Sequence, residues 1–333
     1  MVDIFAQHEA QDCANLAGHS GAARQVAEAF RAGRMHHAWL LTGMEGIGKA
    51  TFALSMGAFA LSGGKGEPDR PMMADKQVQH ALAETHPDML MIRRAVDEKT
   101  GVLKQGIVVE EASRVGAFLH KTSSHGGWRV VIIDEAHTLN RNAQNAILKI
   151  LEEPPARAMI IMTVTMLGAM LPTIRSRCRV LQFASLDEQT MRDLLQRHAK
   201  NLSDSDTEKL LALSGGSIGK ALRILKTEAL ESYEEMLALF DGLPQLDLAR
   251  LHKLADKIAP KAESETFEVA TELFLEKLRK NAVEAARKEG HGIVRRKLDS
   301  WEITCETLAA ADHANLDKKL ALVNALCALK KVG

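Results

Sequence analysis

The chain has 333 residues, and its 43 lysines and arginines balance 43 aspartates and glutamates, so it carries no formal net charge. This length predicts two or three domains, and the charge balance argues against binding polyanions through overall charge. Only 4% of residues are aromatic, which argues against an all-β fold. No run reaches the roughly 18 apolar residues of a membrane span, and the N-terminus does not resemble a signal peptide. We therefore expect a cytoplasmic protein that does not enter a membrane.

The four cysteines show no Cys-x-x-Cys spacing and lie far apart in the chain. Their distribution argues against a disulfide framework or a sequence-local zinc site, and it favours free thiols. They are Cys13, Cys178, Cys305 and Cys327.

The first half of the chain alternates short apolar strands with helices. Because the strands are apolar throughout, we expect a parallel sheet covered on both faces, in a domain spanning 1–185. A Gly/Pro-rich polar stretch over 62–76 predicts a loop or a disordered insert. The predicted strands lie within AWLLTG (38–43), HPDMLMIRR (86–94), RVVIIDEAHTL (129–139), AMIIMTVT (158–165) and MLPTIRSRCRVLQF (170–183), the last of which predicts a short helix followed by a strand.

Beyond residue 185 the sequence predicts helices only. Ser185, followed three residues on by Glu188, matches a capping box at the start of a helix. Long helical patterns follow from about 239, and the last of them predicts a packed stripe formed by Leu316, Leu320, Val323 and Cys327. The predicted fold class is thus α/β plus all-α, with helical domains over 186–238 and 239–333.

The stretch GMEGIGKA (43–50) has the spacing of a phosphate-binding loop, with Gly43, Gly46, Gly48 and Lys49 in the pattern G-x-x-x-x-G-K. Such a loop points backbone N–H groups at phosphates, its glycines permit the tight turn, and its lysine bridges two phosphates. A strand that ends in two acids follows about 85 residues later. Together these features predict descent from P-loop nucleotide hydrolases.

One residue of this loop departs from a working site. The hydroxyl that normally follows the lysine and binds Mg²⁺ is absent, because position 50 is alanine. Thr51 lies about 100° further round the helix and faces elsewhere. Asp134 can still hold metal through water and Glu135 can polarise a water, or both acids can have local hydrogen-bonding roles only. We expect ATP and Mg²⁺ to bind weakly at most.

Taken together, GMEGIGKA, VVIIDEAHTLNRNAQNAILKILEEPP (130–155) and IRSRC (174–178) resemble the AAA+ clamp-loader family. The resemblance covers roughly residues 18–225. It implies a RecA-like AAA+ P-loop domain with a parallel sheet, a small helical lid, and a C-terminal helical collar that joins subunits in a ring. The family opens the sliding clamp and loads it on primer-template DNA during replication, with ATP bound at subunit interfaces.

The resemblance also implies roles for particular residues. Arg177, in Ser-Arg-Cys, matches an arginine finger that acts in a neighbouring subunit's ATP site, although a local salt bridge is the alternative. Thr165 falls at the family's polar sensor, with Thr163 as the alternative. The lid arginine of the family's motor subunits is replaced by Gly219, for which Lys220 is a weak substitute.

Ala50 and Gly219 both remove a nucleotide contact, so we expect a non-motor subunit that works with γ/τ and δ subunits and has no independent ATPase activity. Many relatives bind zinc in the insert after the first helix, but residues 61–90 contain no cysteine, so no zinc is expected. One alternative is an active motor subunit of the γ/τ type. Another is a stand-alone P-loop enzyme such as a nucleotide kinase, which would need an arginine-rich lid and a complete loop.

Overall fold

The computed structural model describes residues 16–97, 103–124, 126–199, 202–260, 264–288, 291–314 and 317–330. The chain divides into two compact units. The first comprises residues 1–197 with 215–219, and the second comprises residues 198–214 with 220–333. The three-part division at 185 and 238 stays a prediction.

The first unit contains seven strands in its described part, five of which form one parallel sheet of order β4-β5-β6-β1-β7. The other two pair as a short antiparallel hairpin. The strands are β1 (Ala38–Thr42), β2 (Gly66–Glu67), β3 (Arg70–Pro71), β4 (Met89–Ile92), β5 (Arg129–Ile133), β6 (Ala158–Val164) and β7 (Arg179–Gln182).

Helices flank this sheet and connect its strands. They are α1 (Ser20–Arg31), α2 (Lys49–Leu61), α3 (Lys76–Leu82), α4 (Val109–Leu119), α5 (Arg141–Glu152), the single turn α6 (Pro172–Arg175) and α7 (Glu188–His198). Short 3₁₀ turns at Ala136–Thr138 and Leu167–Ala169 follow β5 and β6.

The sheet is buried on both faces, because alternate residues of its strands enter two separate cores. Trp39 and Ile132 pack in a core with Phe52 of α2. Their neighbours Leu40 and Ile133 pack in the other core with residues of α4 and α5. Successive strand side chains point to opposite faces, which explains why every residue of β5 and β6 is buried. The prediction of an α/β domain with a covered parallel sheet, followed by helices, is confirmed.

The insert after α2 is more regular than the sequence predicted. Its strands β2 and β3 form a hairpin, and Asp75 caps α3 by accepting a 2.8 Å hydrogen bond from the Gln77 amide. Two ion pairs tie the insert down, Arg31 with Glu67 at 2.5 Å and Lys65 with Asp75 at 2.8 Å. These ion pairs join residues that are 36 and 10 positions apart, so the composition of the stretch does not predict them.

The predicted capping residue of α7 was wrong. The Asp187 carboxylate accepts from the Thr190 amide and from the Thr190 hydroxyl, both at 2.8 Å, so Asp187 provides the cap. The Ser185 hydroxyl instead donates to the Met44 sulfur at 3.3 Å. Asp187 stands directly before the first helical residue, which is the position from which a side chain reaches the free amides.

The second unit is helical throughout its described part. Its helices are α8 (Asp204–Ser214), α9 (Ile218–Lys226, with its first two residues in the first unit), α10 (Ala229–Asp241), α11 (Leu248–Ile258), α12 (Ser264–Lys288), α13 (His291–Ala314) and α14 (Lys318–Leu329). Within the described ranges, no helix is long and apolar enough to cross a membrane.

The packed face of α14 differs from the predicted stripe. Its buried residues are Ala321, Leu322, Ala325, Leu326 and Leu329, whereas Leu320 is exposed. Leu316 lies outside the described residues. The buried stripe is centred roughly 160° round the helix from the predicted one, on nearly the opposite side. The reason is that this helix is apolar on several sides, and its packing against α11 and α13 selects the buried face.

We expect Asn140→Ala to destabilise the start of α5. The Asn140 side chain accepts from the Ala143 amide at 2.8 Å, and loss of such a cap costs about 1 kcal/mol. Hydrogen exchange should therefore show faster exchange of the α5 amides. The exposed Asn145 of the same helix provides the matched control, Asn145→Ala, which should leave exchange nearly unchanged. Equal effects of the two substitutions would contradict this account.

Candidate nucleotide site and arginine loop

The phosphate loop has the backbone shape that its sequence predicts. Gly43, Gly46 and Gly48 all have positive φ angles, of 155°, 73° and 97°. A side chain at Gly43 would lie 2.5 Å from the Phe183 carbonyl oxygen of the neighbouring strand end. Glycine is needed here both for conformation and for space. Helix α2 then begins at Lys49, so its free N-terminal amides face the loop.

The loop lysine is bound to its own loop. Lys49 is 7% exposed, and its Nζ donates to the carbonyl oxygens of Gly43 at 2.9 Å and Met44 at 2.5 Å. Burial lowers the pKa of Lys49, and the charges of Asp134, Glu45 and Glu135 oppose that shift. Hydrogen bonds to these two loop carbonyls therefore offset the cost of burying the ammonium group. In a working phosphate loop, a bound phosphate would provide that partner.

A buried histidine supports the loop from beneath. His19 Nε2 donates to the Ile47 carbonyl oxygen at 2.6 Å, and its ring packs edge-on against Phe183 with centroids 4.6 Å apart. Burial lowers the pKa of His19. The sequence interpretation missed this residue, because no local motif identifies a single histidine that precedes a helix.

The acidic end of β5 is occupied by protein partners. Asp134 Oδ1 accepts from the Thr163 hydroxyl at 2.6 Å and from the Glu135 amide at 3.1 Å. Glu135 has a left-handed backbone with φ of 52°, and its carboxylate accepts from Arg94 Nε at 2.5 Å. Arg94 was also missed, although its place just after β4 sets it at the same edge of the sheet as the two acids.

The two candidate sensor threonines have different environments. Thr163, which is buried, contacts Asp134 directly, as described above. Thr165 lies two residues further along, and its hydroxyl lies 3.1 Å from His137 Nε2. Burial lowers the pKa of His137 and so favours the neutral ring, which can accept this hydrogen bond. Both threonines stand at the end of β6 beside the acids.

The metal-binding chemistry of the loop is incomplete. Ala50 supplies no oxygen, and Thr51 follows it one residue further along α2, on a different side of the helix. Among the described residues, no group of three or more histidines, cysteines, aspartates or glutamates is placed to hold a metal ion. Asp134 remains as a single carboxylate with one oxygen already hydrogen-bonded.

The segment Gly215–Gly219 contacts the phosphate loop directly. The Ser217 hydroxyl donates to the Glu45 carbonyl oxygen at 2.8 Å, and the Gly219 amide donates to the Gly46 carbonyl oxygen at 2.8 Å. A Cβ atom at Gly219 would lie 2.7 Å from the Gly46 Cα. At the position that the resemblance assigns to a lid arginine, the backbone of Gly219 thus packs directly on the backbone of Gly46. The candidate substitute, Lys220, forms an ion pair with Glu276.

Arg177 stands on the turn between α6 and β7, with its guanidinium partly exposed. Its Nη1 donates to the Thr173 carbonyl oxygen at 3.0 Å and its Nη2 pairs with Glu152 Oε1 at 2.9 Å. Glu152 belongs to the Leu-Glu-Glu-Pro-Pro end of α5 and was also missed as a partner. Burial raises the pKa of Cys178 to about 12, so the neighbouring thiol stays protonated. Two contacts fix the guanidinium plane, while other N–H donors of its five remain for a further anion.

Comparison with known proteins agrees with these features. Residues 18–187, just over half of the chain, match the family described as "DNA polymerase III, delta subunit". The δ′ subunit of DNA polymerase III from Pseudomonas aeruginosa is 33% identical over 216 residues, covering 60% of this chain and 61% of the relative. The δ′ subunit from Escherichia coli K12 is 28% identical, covering 67% and 65%.

Subunits of another type also match. The γ subunit from Buchnera aphidicola of Schizaphis graminum is 28% identical over 222 residues, covering 65% of this chain and 58% of the relative. The chain thus spans less than two thirds of the length of these first relatives. A γ-subunit-related protein of known structure from Thermotoga maritima is 20% identical with a TM-score of 0.46, covering 93% of this chain and 98% of the other.

We expect His19→Gln to reduce the loss of stability at mildly acidic pH. Because burial lowers the pKa of His19 below the unfolded value of about 6.5, the unfolded chain binds the proton more readily. The contribution of the neutral ring is complete above that value and is lost as pH falls toward the lower folded pKa. Gln keeps an N–H donor for Ile47 without titrating.

The measurement is the fall in Tm between pH 7.5 and 5.5, which should be smaller in His19→Gln than in the wild-type chain. Part of the fall will remain, because burial also lowers the pKa of His37 and of His137. His252→Gln, at an exposed position, is the control and should behave like wild type. If the fall in Tm for His19→Gln equals that of the wild-type chain, His19 does not contribute to the pH dependence of stability.

Proposed function

Because the chain belongs to the clamp-loader family described as DNA polymerase III, delta subunit, we propose that it is a δ′-type, non-motor member of a clamp-loader ring. In this role it binds ATP and Mg²⁺ weakly at most and hydrolyses no ATP by itself. It lends Arg177 to the ATP site of a neighbouring subunit. The single observation that carries the proposal is the complete Ser-Arg-Cys turn, with Arg177 held at the surface, in a chain whose own loop lacks the hydroxyl at Ala50.

The geometry of Arg177 suits a role in trans. A finger arginine stabilises negative charge on the phosphoryl group during transfer, and it works best when its planar guanidinium is already oriented. Thr173 and Glu152 provide that orientation from one side. Glu152 is about half exposed, so this pair contributes little to stability and a stronger anion can compete for the guanidinium.

The chain's own site supports the non-motor half of the proposal. Lys49 is bound to loop carbonyls, and Glu135 is bound to Arg94. Thr165 and Asp134 keep the positions of a sensor and a metal ligand, but no oxygen at position 50 completes the metal site. These residues are therefore proposed as an inherited, degenerate nucleotide site.

The partners follow from the same proposal. They are γ/τ and δ subunits in the ring, the sliding clamp, and primer-template DNA within the assembled complex. The cytoplasm is the proposed compartment. No zinc is proposed for the insert, where ion pairs and a capped helix provide the local contacts.

A second candidate function is that of an active ATPase subunit of the γ/τ type. It is favoured by the similarity to γ subunits and by the preserved shape of the phosphate loop. Ala50 and the packing of Gly219 on Gly46 argue against it. Steady-state ATPase activity of the purified chain separates the two, because a motor subunit must turn over ATP where a δ′-type subunit does not.

We expect Arg177→Ala to lower the DNA-stimulated ATPase activity of a reconstituted clamp loader that contains this chain. Loss of a finger arginine costs about 10³-fold or more at the site that it serves. The ATPase rate of the complex should therefore fall by nearly the full contribution of the one ATP site that Arg177 serves. Size-exclusion chromatography should show unchanged assembly, since the exposed pair with Glu152 contributes little to folding.

Arg179→Ala is the matched control for this experiment. Arg179 is an exposed residue two positions away, and its guanidinium lies over the Trp39 ring with 5.5 Å to the centroid. The control complex should retain wild-type ATPase activity. If the Arg177→Ala complex assembles and also keeps its full ATPase activity, the proposed finger role is lost.

A further inference from the structure

We propose that the segment Gly216–Gly219 closes the phosphate loop of this chain, and that glycine at position 219 is what permits the closure. Gly219 then excludes nucleotide actively, in addition to lacking the arginine that a motor subunit carries there. The inference rests on the proposed non-motor role, but the isolated chain can test it without any contribution from Arg177.

Two hydrogen bonds hold the segment on the loop, and in each the segment donates to a main-chain carbonyl of the loop. Ser217 is 1% exposed, and its hydroxyl donates to Glu45 O at 2.8 Å. One residue beyond Ile218, the Gly219 amide donates to Gly46 O, also at 2.8 Å. Two consecutive loop carbonyls are therefore satisfied by the same short segment.

The other end of the segment is fixed as well. The Leu186 amide donates to Gly216 O at 3.0 Å. Gly216 has a φ of 84°, and a Cβ atom there would lie 2.7 Å from Leu186 O. The segment is thus held at Leu186 on one side and at the phosphate loop on the other, which makes the closed position a defined state.

Only glycine fits at position 219 in this state. A Cβ atom would come within 2.7 Å of Gly46 Cα and 3.1 Å of Gly46 O. Both are backbone atoms of a tight turn, so they cannot swing aside as a flexible side chain can. The φ of Gly219 is not in the left-handed region, so an alanine there suits the local backbone and is excluded only by the contact itself.

The closed state competes with a phosphate ligand for the space beside Gly46, since the loop carbonyls that the segment binds are acceptors, as phosphate oxygens are. No group fits between Gly46 and Gly219 while their backbones are in contact. The Lys49 ammonium, which a phosphate needs, is meanwhile bound to the carbonyl oxygens of Gly43 and Met44. Opening the segment frees the approach to the loop, and a phosphate can then take over the ammonium group.

The test is the binding of ADP to the isolated full-length chain, measured by calorimetry without metal, because Ala50 removes a Mg²⁺ ligand. Gly219→Ala should lower the Kd for ADP at least tenfold relative to wild type, which corresponds to about 1.4 kcal/mol. Gly116→Ala is the matched control, because a Cβ atom at this position of α4 meets nothing within 4 Å. The control should bind ADP as the wild-type chain does.

Ser217→Ala provides an independent measurement, since it removes the hydroxyl that donates to Glu45 without adding bulk. It should lower the Kd in the same direction by a smaller factor, and it decides the question if Gly219→Ala does not fold in a thermal unfolding scan. The proposal is overturned if folded Gly219→Ala binds ADP within twofold of wild type, or if Gly116→Ala gains as much. The proposal is also overturned if the wild-type chain binds ADP as tightly as Gly219→Ala does. None of these outcomes depends on whether Arg177 acts as a finger.

Discussion

The parallel pairing of β1, β5 and β6 is the constraint on which the whole candidate site depends. Parallel strands end at the same edge of a sheet, so the phosphate loop, the acids after β5 and the threonines of β6 are brought together there. The register is firm because the strands are buried on both faces, and a slip by one residue would exchange their two sets of core side chains. The sheet therefore preserves the shape of a nucleotide site whether or not nucleotide binds.

The polar groups at this edge are satisfied by one another. Buried or half-buried polar atoms are costly without partners, and in a working ATPase some of these partners are phosphate and metal. Here Lys49 uses loop carbonyls, Asp134 uses Thr163, and Glu135 uses Arg94. A phosphate that enters must replace hydrogen bonds that already exist, so it gains less than it would in a site with unsatisfied groups.

Much of this arrangement could be predicted from the sequence, because it is encoded locally. The glycine spacing from 43 to 48 predicts the turn of the phosphate loop, and the continuously apolar strands predict the covered sheet. The wrong predictions concern features that packing against neighbouring elements decides. Ser185 and Asp187 are both capping residues in type, and only the start of α7 selects Asp187. In α14 several faces are apolar, and packing leaves Leu320 exposed. The partners of Arg94 and Gly219, and the Glu152 partner of Arg177, are remote in sequence, so no local pattern identifies them.

Lys220, which follows the position that the family resemblance assigns to a lid arginine, is bound to acidic residues within the second unit. Lys220 pairs with Glu276, and Arg223, one turn along α9, pairs with Glu272 at 3.2 Å. Each pair is partly exposed and weak alone, but the basic residues of α9 and the acidic residues of α12 recur at helical spacing and support one another.

Moving Lys220 to a phosphate would leave Glu276 without that partner, and the ammonium group would exchange one anion for another with little gain. A hydroxyl restored at Ala50 would add a metal ligand, but it would change neither this pairing nor the contact of Gly219 with Gly46. The proposed non-motor role therefore rests on several separate contacts, and reversing any one of them leaves the others in place.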